Sequence, residues 1–218
     1  MATLIMSLKF AKEWEKPEKS SLLERFGDRF HQRPPLKERL TNSLYRVNVI
    51  EQKLEGLGHR MEQKDRDLFE KTTQALAVKD SMRAAMYANE CSEVRKMVKI
   101  ILKSQLALEQ VGLRLETVRE FGDVAAEMGP LAGVVHSLKG QLTGIMPEVS
   151  YELGVIGDTL NGLVIEAGES TGSSYDIEAS SSEAQKILHD ASAVADLRMK
   201  DRFPELPVPG ATVTEKAS

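Results

Sequence analysis

Two long apolar stripes constrain this chain more than any other feature. The first runs through Leu36, Leu40, Val47, Ile50, Leu54, Leu57, Met61 and Leu68, in steps of three or four with Ser43 and Lys64 interrupting. The second runs through Val94, Met97, Ile101, Leu108, Val111, Leu115 and Val118, with Ser104 as its polar intruder. Such spacing puts one narrow apolar face along each of two helices, and a narrow face sustained over many turns needs a partner helix. At 1.5 Å per residue the helices would be roughly 50 Å and roughly 65–70 Å long. Aromatics are 5% of the chain and charged residues 28%, the composition of helical rods rather than of sandwiches or barrels. The expected fold is all-α: a long helical hairpin followed by shorter, weaker C-terminal helices and a flexible C-terminal tail.

Punctuation divides the chain further. Pro34 and Pro35 precede the first stripe, and Pro35 suits the first turn of a helix. This sets off residues 1–35 as an N-terminal segment and 36–121 as the hairpin core. The corner between the two helices is expected around Glu70–Thr73, because Thr72 and Thr73 are the weakest helix formers there. Gly122, Gly129 and Pro130 form a natural stop or hinge. Beyond them glycines recur at 133, 140, 144, 154, 157 and 162, and each costs a helix about 0.5–1 kcal/mol relative to alanine. Residues 122–166 therefore read as weak helices, roughly 131–145 and 147–165, able to bend or detach. Residues 167–182 read as a Gly/Ser-rich linker and 183–218 as a tail. The tail begins with a short helix capped by Ser182 and continues into Phe203-Pro204-Glu205-Leu206-Pro207-Val208-Pro209.

Charge is unevenly placed. Ten carboxylates between Pro147 and Asp196 meet a single basic residue, Lys186, while nearly all the Lys and Arg precede them. A basic body with an acidic tail points to docking of the tail on the body, or to attraction of the body to an anionic surface. The second helix carries the basic set Arg83, Arg95, Lys96, Lys99 and Lys103. With Tyr87 as the aromatic among them, the set lacks the interleaved aromatics of a nucleic-acid reader, so no nucleic-acid partner is expected. It fits an anionic membrane, which reads charge density at about 1 kcal/mol per basic residue. At the N-terminus, Leu4, Ile5 and Leu8, with Phe10 and Trp14 as anchors, form either an interfacial membrane helix or a frayed end.

Chemistry is not in view. His31, His59, His136 and His189 lack ligand spacing, so no metal is expected. Gly168-Glu-Ser-Thr-Gly has neither the lysine nor the preceding strand of a phosphate loop, and Ser173 and Ser174 lack a nucleophile-elbow context. Cys91 is alone and builds no disulfide framework. With no apolar run near the ~18 residues that span a bilayer, the expectation is a soluble, cytoplasmic non-enzyme without a cofactor, peripheral at a membrane.

Two phrases are more specific. Asp80-Ser-Met-Arg-Ala-Ala-Met-Tyr-Ala-Asn-Glu through Glu93-Val-Arg-Lys-Met, and Ala107-Leu-Glu-Gln-Val-Gly-Leu-Arg-Leu-Glu-Thr-Val-Arg, resemble the second helix of the ESCRT-III superfamily, especially archaeal CdvB-type cell-division proteins. The resemblance covers about residues 36–165. It implies a subunit that is closed while acidic C-terminal helices lie on the hairpin. Fusion of the second and third helices would open it, and it would then form membrane-bound filaments with copies of itself and with related paralogues. The Phe203–Pro209 run is similar to the motif by which such tails bind the MIT domain of a CdvC-type AAA ATPase. Its prolines, Pro204, Pro207 and Pro209, pre-order an extended strand, and Phe203, Leu206 and Val208 supply apolar anchors. The chain ends nine residues after Pro209, so the resemblance is to the shorter members that lack a winged-helix segment for the recruiter CdvA. The rival expectation is a coiled-coil adaptor or scaffold with no membrane-remodelling role.

Overall fold

A computed structural model describes residues 34–121, 124–171 and 177–207. The expectations for Leu4, Ile5, Leu8, Phe10 and Trp14, for Gly122, and for Val208 and Pro209 fall outside those residues. Five helices are described: α1 (Leu36–Ala77), α2 (Ser81–Phe121), α3 (Val124–Leu142), α4 (Pro147–Thr171) and α5 (Ile177–Arg202). No strand is found among the described residues. They divide into two compact units, one formed by residues up to Glu51 with Ala107–His189, the other by Gln52–Leu106 with residues from Asp190 on.

In the first unit, Leu40, Leu44, Val47 and Ile50 of α1 and Leu108, Val111, Leu115 and Val118 of α2 are buried. Gly112 stands where an added Cβ would lie 3.9 Å from Val47, so the two helices approach closely there. Met128, Leu131, Val134, Val135, Leu138 and Leu142 of α3 complete this core with Val149, Leu153, Ile156, Leu160 and Leu163 of α4. The pair α3–α4 is antiparallel, its corner tied by the Ser150 hydroxyl donating to the Lys139 carbonyl at 3.0 Å. That burial explains a departure from the expected break at Gly129-Pro130: α3 starts earlier, at Val124, and carries Pro130 inside it. A proline removes one ladder bond, and a row of fully buried apolar side chains outweighs the loss.

In the second unit, Leu54, Leu68, Cys91, Val94, Val98 and Ile101 are buried. The corner lies at Val78–Asp80, not at Glu70–Thr73, and α1 runs unbroken to Ala77. Thr72 faces inward and its hydroxyl donates to the Leu68 carbonyl at 2.8 Å, so the threonine is absorbed into the helix. A propensity difference of a few tenths of a kcal/mol does not end a packed helix; capping does. The Asp80 amide donates to the Ala75 carbonyl and the Lys79 amide to the Leu76 carbonyl, each at 2.9 Å. Lys79 takes φ 60°, completing a Schellman ending without a glycine. Asp80 then caps α2, its Oδ1 accepting the Arg83 amide at 3.0 Å. Asp80→Ala should cost about 1 kcal/mol, checked by urea denaturation.

The expected linker and tail boundaries also shift. Helix α4 extends to Thr171 and α5 begins at Ile177, so Ser182 lies inside a helix rather than at its cap. The inward row of α5 is mostly small, Ser180, Ala184, Ala191 and Ala195, with Ile187 as its large side chain. Small side chains allow close approach: in the first unit a Cβ added at Gly133 of α3 would sit 3.2 Å from that of Ala184.

Candidate functional site

Asp65 occupies a position on α1 where the stripe calls for an apolar residue, four after Met61 and three before Leu68. It is 2% exposed. A buried carboxylate requires a partner, and Arg95 of α2 supplies one in a two-point grip. Nε donates to Oδ1 at 2.6 Å and Nη2 to Oδ2 at 3.2 Å. The Cys91 thiol donates to the same Oδ1 at 2.9 Å. Burial first, and then Asp65, push that thiol up to about 12, so Cys91 stays protonated and unreactive while the unit is folded.

The grip leaves Nη1 of Arg95 pointing outward, and the tail takes it. Nη1 donates to the Pro204 carbonyl at 2.5 Å. The Phe203 ring lies 5.3 Å from the guanidinium carbon and the Phe69 ring 5.9 Å, both within cation–π range. Met199, Phe203 and Leu206 pack against the cluster of Leu68, Cys91, Val94 and Val98. Two further ion pairs hold the end of α5: Arg202 to Glu62 at 2.7 Å and Lys99 to Asp196 at 2.5 Å. A cleft of about 310 Å³ remains beside the tail, lined by Glu62, Asp65, Arg66, Phe69, Arg202, Phe203 and Pro204.

The basic set on α2 is therefore not one uniform face. Arg95 is a hub, its side chain 14% exposed. Lys99 is paired with α5. Exposed Arg83 and Lys96 sit beside Asp80 (3.5 Å) and Glu93 (2.7 Å) of their own helix. Lys103 is half-buried. Gly129 and Pro130 are buried within α3. Of the tail residues, Phe203, Leu206 and Pro207 are half-buried and Pro204 is exposed.

Sequence reasoning passed over Asp65, Glu62 and Phe69, which lie just before the corner it expected at Glu70–Thr73. The signal was present: Met61, Asp65, Leu68, Thr72 and Ala75 continue the three-and-four stepping. It also passed over the arginines that meet the acidic helices in the first unit. There Arg39 pairs with Glu166 at 2.6 Å, Arg46 with Glu152 at 3.3 Å, and Arg114 with Glu183 at 2.6 Å. Arg39 and Arg46 are seven residues apart and Glu152 and Glu166 fourteen, near-whole numbers of turns that put each pair on one helix face.

Among the described residues, one buried carboxylate oxygen of the first unit, Oε1 of Glu51, has no hydrogen-bond partner. Burial first, then the charges of Glu109 and Glu116, raise its pKa above 4.5. The folded state therefore holds this proton more tightly than the unfolded state does. The stability this group contributes is present below about 4.5 and is lost as pH rises through the folded value. Glu51→Gln should raise the melting temperature relative to the parent at pH 7 and leave it unchanged at pH 4, measured by calorimetry at both.

Among the described residues no helix is long and apolar enough to cross a membrane, and no cluster of His, Cys, Asp and Glu is arranged to hold a metal. A charged helical hairpin with acidic helices ion-paired to its arginines defines an all-α helical-hairpin protein, as the ESCRT-III resemblance implies. No family model and no solved structure matches the chain. It is 45% identical to Cell division protein B1 of Sulfolobus acidocaldarius over 213 residues, 98% of this chain and 96% of that protein. It is 31% identical to Cell division protein B of the same organism over 183 residues, 84% of this chain and 70% of that protein. Against Cell division protein B3 the identity is 30% over 117 residues, 54% of this chain and 68% of that protein. The chain belongs to the archaeal cell division protein B family.

Proposed function

We propose that the protein is a filament-forming subunit of archaeal cell division. It assembles on anionic membrane with copies of itself and with related paralogues, drives constriction or scission, and is taken apart by a CdvC-type AAA ATPase that binds its tail through an MIT domain. It acts as a structural element, and the ATPase supplies the energy. The reading is carried by the pairing of the acidic helices with the hairpin, Arg39 to Glu166 and Arg114 to Glu183 in one unit and Lys99 to Asp196 in the other. Those contacts use charges that an assembly surface would need, which supports the reading of a closed, unassembled subunit. Family membership supports the cellular setting, since the relatives are named as cell division proteins.

The test is co-sedimentation of the full chain with vesicles, together with electron microscopy of the pellet, alone and with related paralogues. Binding to anionic vesicles that weakens as salt is raised, with filaments in the pellet, is the expected result. A dimer whose stoichiometry does not change with concentration, and which ignores lipid and ATPase alike, would replace this reading with that of a coiled-coil adaptor.

A further inference from the structure

We infer that the corner between α1 and α2 is a lipid-inserting tip: Val78, Met82 and Met86 enter the interface of an anionic membrane while Lys71, Lys79 and Arg83 meet its headgroups. This inference rests on the proposed membrane reading and adds the part of the subunit that enters the lipid.

A corner that faces only water gains nothing from large apolar side chains. Val78 continues the last turn of α1, its amide donating to the Gln74 carbonyl at 3.2 Å, and Met82 lies in the first turn of α2. They are 76% and 86% exposed, the two most exposed large apolar side chains among the described residues. Met86, one turn further along α2, is 53% exposed and shares a helix face with Met82. A single exposed apolar residue is ordinary, but a run of them at one end of a hairpin marks a contact surface. Methionine is unbranched and polarizable and adapts to a fluid apolar phase.

The charges around the corner say what kind of phase that is. Between Glu70 and Glu90 three cations, Lys71, Lys79 and Arg83, meet one carboxylate, Asp80. That carboxylate is already engaged: Oδ1 accepts the Arg83 amide at 3.0 Å, and Oδ2 lies 3.5 Å from Arg83 Nε. Lys71 is seven residues before Val78, two turns along the same helix face. Lys79 takes φ 60°, a conformation that glycine or asparagine adopts at less cost. A lysine held there gives up backbone ease to put a cation next to Val78, and backbone strain of this kind points to function. Its stem suits an apolar surface and its ammonium a phosphate. A projecting corner offers a folded partner no cleft, whereas lipid closes around it.

Because Val78 and Met82 are exposed, replacing both with serine leaves the fold intact. Lys79→Asn removes the cation and keeps a residue that tolerates positive φ. The probe is vesicles of phosphatidylglycerol and phosphatidylcholine in equal parts, with the full chain throughout. Val78→Ser with Met82→Ser should bind about tenfold weaker than the parent, a loss that persists as salt is raised. Lys79→Asn should bind about fivefold weaker, a loss that salt erases.

Insertion is read directly by an environment-sensitive, thiol-reactive fluorophore. Cys91 is buried and unreactive in the folded unit, so the label goes to Val78→Cys or to the control Gln63→Cys. Gln63 is exposed and about 22 Å back along α1, beyond the reach of insertion to about 5–10 Å. On vesicles the label at 78 should shift to the blue and that at 63 should not. An unshifted label at 78 on vesicles that the chain does bind overturns the inference and leaves the proposed membrane reading in place. A parent chain that ignores the vesicles overturns both. A blue shift at 78 that grows with protein concentration in the absence of lipid makes the corner a contact between copies and overturns the inference as well. A shift on vesicles whose pellets hold no filaments supports the inserting tip while the filament reading fails.

Discussion

Arg95→Ala is expected to destabilise the second unit by about 3–5 kcal/mol, because it leaves a buried carboxylate with no cation. Asp65 and Arg95 have side chains 3% and 14% exposed, so water has little access to take the arginine's place. The Cys91 thiol still donates to Asp65 Oδ1, but a neutral thiol does not offset a charge. For a chain of 218 residues each kcal/mol shifts the melting temperature by about 2–4 °C, so a drop of about 10 °C is expected by calorimetry. The double variant Asp65→Leu with Arg95→Met should recover most of it, since replacing a buried pair with apolar side chains of similar size is close to neutral. The recovered chain should still lack the hydrogen bond to Pro204, because Met offers its carbonyl no donor. A loss below about 1 kcal/mol for Arg95→Ala would mean that the pair is solvated in solution, as exposed pairs are.

How much of this was legible in the residues follows from which forces are local. The two long helices were readable because their stripes repeat many times and burial follows the repeat: Leu40, Val47, Ile50, Leu54, Ile101, Leu108, Val111 and Leu115 are all buried. The corner was misplaced because propensity was weighed at Thr72 and Thr73, while the Schellman ending and the Asp80 cap, which set the turn, involve a lysine in a conformation that sequence does not advertise. Helix α5 was under-read because, Ile187 apart, its inward row is alanine and serine, which carry little hydrophobic signal yet permit close packing. The site was half legible. The Phe-Pro-Glu-Leu-Pro run stood out by composition, but its seat did not, since a lone Asp within an apolar stripe looks like the end of a helix until the arginine facing it is known. That Arg95, read as one of five surface cations, is instead a buried hub follows from a pairing thirty residues away in the chain.

Cutting the chain after Thr171 is expected to have the largest functional effect. The cut leaves α4 whole and removes α5 with the tail. In the first unit it takes away Glu183, the partner of Arg114, and the cover given by Ala184 and Ile187. In the second it takes away Asp196, the partner of Lys99, and the Phe203-Pro204 contacts of Arg95. Two basic residues thus lose an acidic partner, and near an anionic surface each basic residue is worth about 1 kcal/mol. Affinity for anionic vesicles should therefore rise roughly tenfold or more over the full chain, and the gain should shrink with added salt. The newly bared apolar faces of α2 and α3 should lower the concentration at which filaments form. Asp196→Lys in the full chain separates the two causes: it removes one acidic partner while leaving α5's apolar cover present, so it should raise vesicle binding with little effect on assembly without lipid. A cut chain that binds vesicles no better than the full one, and assembles at no lower concentration, would mean that α5 braces the fold rather than holding the subunit closed.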